Sequence, residues 1–208
     1  MLVTRIKNEA ELKEAFSGRT LAISCHGCRE VFFPEDQVEK ALNQYRNCLV
    51  GAASLDYLCR EDFSQVYLQK MENLITQSSR VVIFSCGVGV QVWAKLLPGK
   101  IVLAGCNSFN INGFQGLTPT RWNCHQCGEC WLNTTAAICP LTACSKGLLN
   151  GPCGGAKNGK CEVHPSVDCG WHLIYERTQA TGQKFLPAQK VAVRDYRRLV
   201  TGTTTREG

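Results

Sequence analysis

The chain holds 14 cysteines in 208 residues, and their placement limits what it can fold into more than any other feature. Six are spread over the first 123 residues, eight crowd between Cys124 and Cys169, and none lies beyond. Thiols at this density serve as disulfides, as structural zinc ligands or as iron–sulfur ligands. A disulfide scaffold belongs to oxidising compartments. Here the first residues, MLVTRIKNEAELKEAF, turn polar at once and carry no apolar signal-peptide core. No stretch approaches the roughly 18 apolar residues of a membrane span. The expectation is a cytoplasmic chain with no membrane span, its thiols reduced and free to hold metal. With 44% hydrophobic and 19% charged residues, it has the material for a core and too little charge for disorder.

Residues 1–106 read as alternating helices and strands. Asn8-Glu9-Ala10-Glu11 resembles a capping box opening a short helix that ends near Gly18. An apolar strand follows at Thr20–Ser24, and Pro34-Glu35-Asp36 opens a second helix. Strands are expected at Leu49–Leu55, Arg80–Ser85 and Lys100–Ala104, with helices at Glu61–Gln77 and Gly87–Leu97 between them. Short apolar strands alternating with helices imply α/β architecture: a small parallel-sheet, flavodoxin-like domain over residues 1–118. Residues 119–208 then form an irregular cysteine-rich domain with a helical tail. On this scheme Cys25 and Cys28 follow the first strand, Cys59 the second, Cys86 the third and Cys106 the fourth. The carboxyl ends of parallel strands lie along one edge, where such sheets bind ligands, so these thiols should converge. Cys48 falls at a strand start and reads as a small buried hydrophobe.

The second block opens with Cys124-x2-Cys127-x2-Cys130 and continues to Cys139-Pro140, Cys144, Cys153, Cys161 and Cys169. Three cysteines at intervals of three resemble the iron–sulfur run of bacterial ferredoxins, where one loop sets thiolates on three corners of a cube. The eight-residue gap before Cys139 departs from the ferredoxin spacing. Eight thiols are the count for two four-thiolate sites, and spacing alone does not pair them. Glycines at 147, 151, 154, 155 and 159 let the backbone take positive φ and approach a bulky group. Zinc held by four thiolates is the rival, although zinc ribbons favour two knuckles of two cysteines. Buried free thiols are the third reading.

Other signals are weaker. His26 and His125 lie inside cysteine loops and could tune or replace a ligand, but loop histidines are more often solvated. Gly87-Val88-Gly89 is half of a dinucleotide fingerprint without its third glycine, and better suited to keeping backbone close to whatever Cys86 holds. Trp122, Trp131 and Trp171 flank the block as shields for its core. Helices are expected at Trp171–Ala180 and Leu186–Leu199. Beyond Cys169 seven Lys/Arg stand against three Asp/Glu. Three [4Fe-4S] sites at about −2 each would cancel the formal net charge of +6, so the basic face reads as a docking surface and not a nucleic-acid site.

The string TTAAICPLTACSKGLLNGPCGGAKNGKCEV, followed by CGWHLIYER, resembles the small iron–sulfur (MetV-type) subunits of acetogen-type methylenetetrahydrofolate reductases and the methylenetetrahydrofolate reductase C-terminal domain family. The likeness covers about Cys124–Arg177, and the stretches ISCHGC, LDYLC and FSCGVGVQ support it in the first half. The resemblance implies a non-catalytic electron-transfer subunit. It would pass electrons to the flavin of a TIM-barrel partner subunit that reduces methylene- to methyl-tetrahydrofolate. Docking to heterodisulfide-reductase-like or Rnf-like electron-supplying subunits is implied as well. Cys25, Cys28, Cys59 and Cys86 would hold one cluster, [4Fe-4S] or [2Fe-2S], with Cys106 as substitute ligand. Cys124, Cys127, Cys130, Cys139, Cys144, Cys153, Cys161 and Cys169 would hold two more [4Fe-4S] clusters. The alternative is a zinc-stabilised module that binds nucleic acid or protein.

Overall fold

Val81, Val82, Ile83 and Phe84 are all fully buried, because the strand they form has a packed layer on each face. The computed structural model describes residues 2–28, 31–110, 124–183, 191, 193 and 194. In chain order the elements are β1 (Leu2–Ile6), α1 (Glu9–Ala15), β2 (Thr20–His26), β3 (Val31–Phe32), α2 (Glu35–Gln44), β4 (Leu49–Asp56), α3 (Glu61–Lys70), α4 (Glu72–Gln77), β5 (Arg80–Phe84), α5 (Gly87–Leu96), β6 (Ile101–Ala104) and β7 (Cys106–Asn110). The cysteine-rich part adds α6 (Pro140–Ala143), β8 (Lys160–Cys161), β9 (His164–Asp168) and α7 (Gly170–Thr181).

Four strands form a parallel sheet in the order β4-β2-β5-β6. Side chains alternate across it with period two. Leu21, Ile23, Val81, Ile83, Val102 and Ala104 enter one core, with Ile75 of α4 and Val90 and Trp93 of α5. Ala22, Val82, Phe84 and Leu103 enter the other, with residues of α1 and α2. Each large apolar side chain so buried contributes about 1.5–3 kcal/mol. The chain runs from β2 outward to β4, then crosses to β5 on the far side of β2. The crevice between the carboxyl ends of β2 and β5 is therefore the switch point at which such sheets take ligands.

Three features go beyond the sequence pattern. The stretch Glu61–Gln77 is two helices, because Met71 leaves the helical path (φ −110°, ψ 14°) and its N–H is shared by the Tyr67 and Leu68 carbonyls. A second sheet, β3-β1-β7, pairs β1 parallel to β3 and antiparallel to β7. A small antiparallel hairpin, β8-β9, sits within the cysteine-rich part. At the start of α1 the Asn8 side chain accepts from Glu11 N–H at 3.0 Å and donates to its carboxylate at 2.8 Å, a variant of the capping box. The expected boundary between residues 118 and 119, Trp122, and nearly all of the expected helix Leu186–Leu199 lie outside the described residues. Among the described residues no helix is long and apolar enough to cross a membrane.

Candidate metal centres

Twelve of the cysteines line three cavities, four to each. The first, about 90 Å³, lies at the sheet edge and is walled by Cys25, Cys28, Cys59 and Cys86. Cys25 ends β2, Cys59 follows β4, and Cys86 stands at the N-cap of α5. Among the described residues no Asp, Glu, Lys or Arg lines this cavity; His26 does, with its ring 4.6 Å from that of Phe33. Burial pushes the Cys25 thiol up to about 12, and the neighbouring thiols Cys86, Cys59 and Cys28 add to the rise. Burial also raises Cys86, against backbone hydrogen bonds from Gly89 and Val88 at the start of α5. These amides are oriented to hold a sulfur that carries negative charge.

The second cavity, about 20 Å³, is walled by Cys124, Cys127, Cys130 and Cys139. Its loop lies along β7, the strand that the sequence pattern did not announce. Gly128 N–H donates to Ser108 O at 2.9 Å, and Cys130 N–H donates to Asn107 Oδ1 at 3.1 Å. An isolated bridge pairs Phe109 with Cys127. Gln126 (φ 51°) and Gly128 (φ 76°) take left-handed backbone on either side of Cys127, which curls the loop. Gln126 N–H then donates to Cys124 Sγ at 3.4 Å. Gln91, 1% exposed, accepts from Cys139 N–H at 3.1 Å. Burial pushes Cys130 up to about 12, with the Lys7 ammonium acting against the rise. Burial raises Cys124 and Cys127 too.

The third cavity, about 10 Å³, is walled by Cys144, Cys153, Cys161 and Cys169. Cys153 is exposed and accepts from Gly155 N–H at 3.4 Å. The Ser145 hydroxyl and backbone hydrogen bonds at Val163 and His164 lower the pKa of Cys161. The β8-β9 hairpin carries Cys161, and Trp171 Nε1 donates to Leu148 O at 3.0 Å under the site. Of the five glycines in this stretch, Gly147, Gly151, Gly154 and Gly159 have positive φ.

A regularity unites the three. Each quartet takes one cysteine from a helix N-cap: Cys86 of α5, Cys139 of α6 and Cys169 of α7. Cys106 lines none of these three cavities; its side chain is buried in the core against α1 and α2. Cys48 packs at the edge of the same core. His125 lines the second cavity, and burial followed by the Arg194 charge lowers its pKa. Gly87-Val88-Gly89 forms the first turn of α5 beside Cys124. Sequence reasoning missed Lys7 and Gln91 as residues of the second site. Gln91 had one signal, a lone polar residue in the apolar helix GVGVQVWAKL.

Among the described residues, no group of three or more His, Cys, Asp or Glu side chains is gathered so as to hold a metal ion as it stands. The quartets are thiols around cavities. Their donor set fits a thiolate-ligated group: four sulfurs each, with backbone amides turned towards sulfur.

Fold and site define an α/β protein with cysteine quartets at the ends of its parallel strands and in the segment beyond. Residues 103–197, just under half of the chain, match the family model described as Methylene-tetrahydrofolate reductase C terminal. The match spans the second and third quartets and leaves the first outside it. No curated protein and no solved structure matches the chain.

Proposed function

We propose that this chain is an iron–sulfur electron-transfer subunit of a cytoplasmic methylenetetrahydrofolate reductase complex, of the MetV type, and makes no bonds of its own. The observation that carries the reading is the sorting of twelve thiols into three cavities of four, joined to the family match over residues 103–197. The β4-β2-β5-β6 order supports a flavodoxin-like first domain with its site at the switch point. Bound clusters would supply one-electron transfer to the flavin of a partner subunit.

The chain's own residues hold and tune. Four thiolates bind at each site, and N–H groups such as those of Gln126 and Gly155 donate to sulfur. Lys7 places a buried positive charge behind Cys130. The test is anaerobic purification with quantification of iron, zinc and acid-labile sulfide per chain. About eight to twelve irons with matching sulfide are expected. About two to three zincs without sulfide would overturn the reading and favour a zinc-stabilised binding module.

A further inference from the structure

The first and second quartets meet at the start of α5. Cys86 caps this helix, and Gly87 follows it. A Cβ on residue 87 would stand 3.2 Å from Cys124 Sγ, closer than most real Cβ contacts. Gly87 N–H also donates to Ser108 Oγ at 3.2 Å, which fixes it to the strand carrying the Cys124 loop. The second and third quartets meet at α6. Cys139 is its N-cap and Cys144 its C-cap, five residues apart, on the order of 7–8 Å along the axis. Among the described residues no element supplies a cysteine to both the first and the third cavity.

We propose that the three quartets form a line with the Cys124 quartet in the middle, and that Gly87 is the positioning residue that keeps the first site against the middle one. This rests on the iron–sulfur reading above. The first site reaches the surface through Tyr57 and the third through Cys153. A line of this kind passes one electron at a time from a reduced site to an oxidised neighbour. No atom or proton moves, a one-electron reductant serves one end, and a flavin accepts at the other.

The experiment reads magnetic interaction between sites in the anaerobically loaded full chain, reduced with dithionite and followed by electron paramagnetic resonance. Removing the middle site with Cys127→Ala should leave two sites whose signals show no mutual splitting or broadening. Removing an end with Cys59→Ala or Cys153→Ala should leave an interacting pair in each case. Gly87→Val should weaken the interaction seen in the Cys153→Ala background while iron per chain stays level. The interaction in the Cys59→Ala background should not change. An interacting pair in Cys127→Ala, or isolated signals in either end variant, overturns the order. A full interaction in Gly87→Val overturns the role of Gly87. Zinc without sulfide in the unaltered chain overturns the iron–sulfur reading, and the order with it; full iron with the wrong interactions overturns the order alone. Cys153 is exposed, so its variant keeps the test usable if a buried variant does not fold.

Discussion

The carboxamide of Gln91 accepts a hydrogen bond from Cys139 N–H at 3.1 Å and donates one to Gly87 O at 3.0 Å. One buried side chain thus ties the helix headed by Cys86 to the helix headed by Cys139. Leucine has nearly the same volume but no polar atoms. Gln91→Leu should therefore leave the Cys139 N–H without this acceptor, at a cost of about 1–3 kcal/mol. In a chain of this size each kcal/mol lowers Tm by about 2–4 °C. Thermal unfolding of the purified variant checks this, and an unchanged Tm would mean that the Cys139 amide finds another partner.

Lys7 is 3% exposed; its ammonium pairs with Glu11 and donates to Cys130 O at 3.3 Å. A fixed positive charge favours the more negative, reduced state of a group held by Cys130. Lys7→Met keeps the apolar stem and removes the charge, while Glu11 is exposed enough to be solvated. The reduction potential of the middle site should fall and that of the third site should hold. A potentiometric titration followed by electron paramagnetic resonance decides it. A fall shared equally by all sites would point to a general loss of packing instead.

How much of this was legible in the sequence depends on what each residue needs. Residues 21–23, 81–84 and 101–104 are apolar throughout because both sheet faces are covered, so their strands could be read directly. The convergence of Cys25, Cys28, Cys59 and Cys86 followed from the rule that parallel strands end along one edge. The pairing of the later eight did not follow, because it is set by contacts distant in sequence. Strand β7, NSFN after Cys106, has no apolar alternation; its partners are β1 and the Cys124 loop. Lys7 looks like any surface lysine until Cys130 folds over it. Cys106 follows a strand as Cys59 and Cys86 do, yet it packs in the core on the α1 and α2 side of the sheet.

That difference makes Cys106 a control. It is 1% exposed among Phe84, Leu103 and the residues of α1. Cys106→Ala should leave iron per chain unchanged, with a modest stability loss for the small void. Cys59→Ala should remove about a third of the iron of a three-cluster chain. The two variants are compared by iron and sulfide analysis on protein prepared identically. Iron loss in Cys106→Ala equal to that in Cys59→Ala would make Cys106 a ligand and undo the quartet assignment.

Arg177 holds the cysteine-rich part to the sheet domain. From α7 its guanidinium donates to Ala136 O at 2.9 Å and to Leu97 O and Lys100 O at 3.1 Å each, with Pro98 O at 3.4 Å. Burial pulls its pKa down to about 10, which still leaves it charged at neutral pH. Leu97 is the C-cap of α5, so the charge also meets the negative end of that helix. Arg177→Met should cost about 2–3 kcal/mol, since the lost hydrogen bonds come from a charged donor. Arg177→Lys should recover only part of the loss, because one ammonium cannot reproduce the planar fork across separate carbonyls. Thermal unfolding of both variants tests the ranking. If the lysine variant equals the unaltered protein, positive charge at the end of α5 is what matters, and the bridge to Ala136 contributes little.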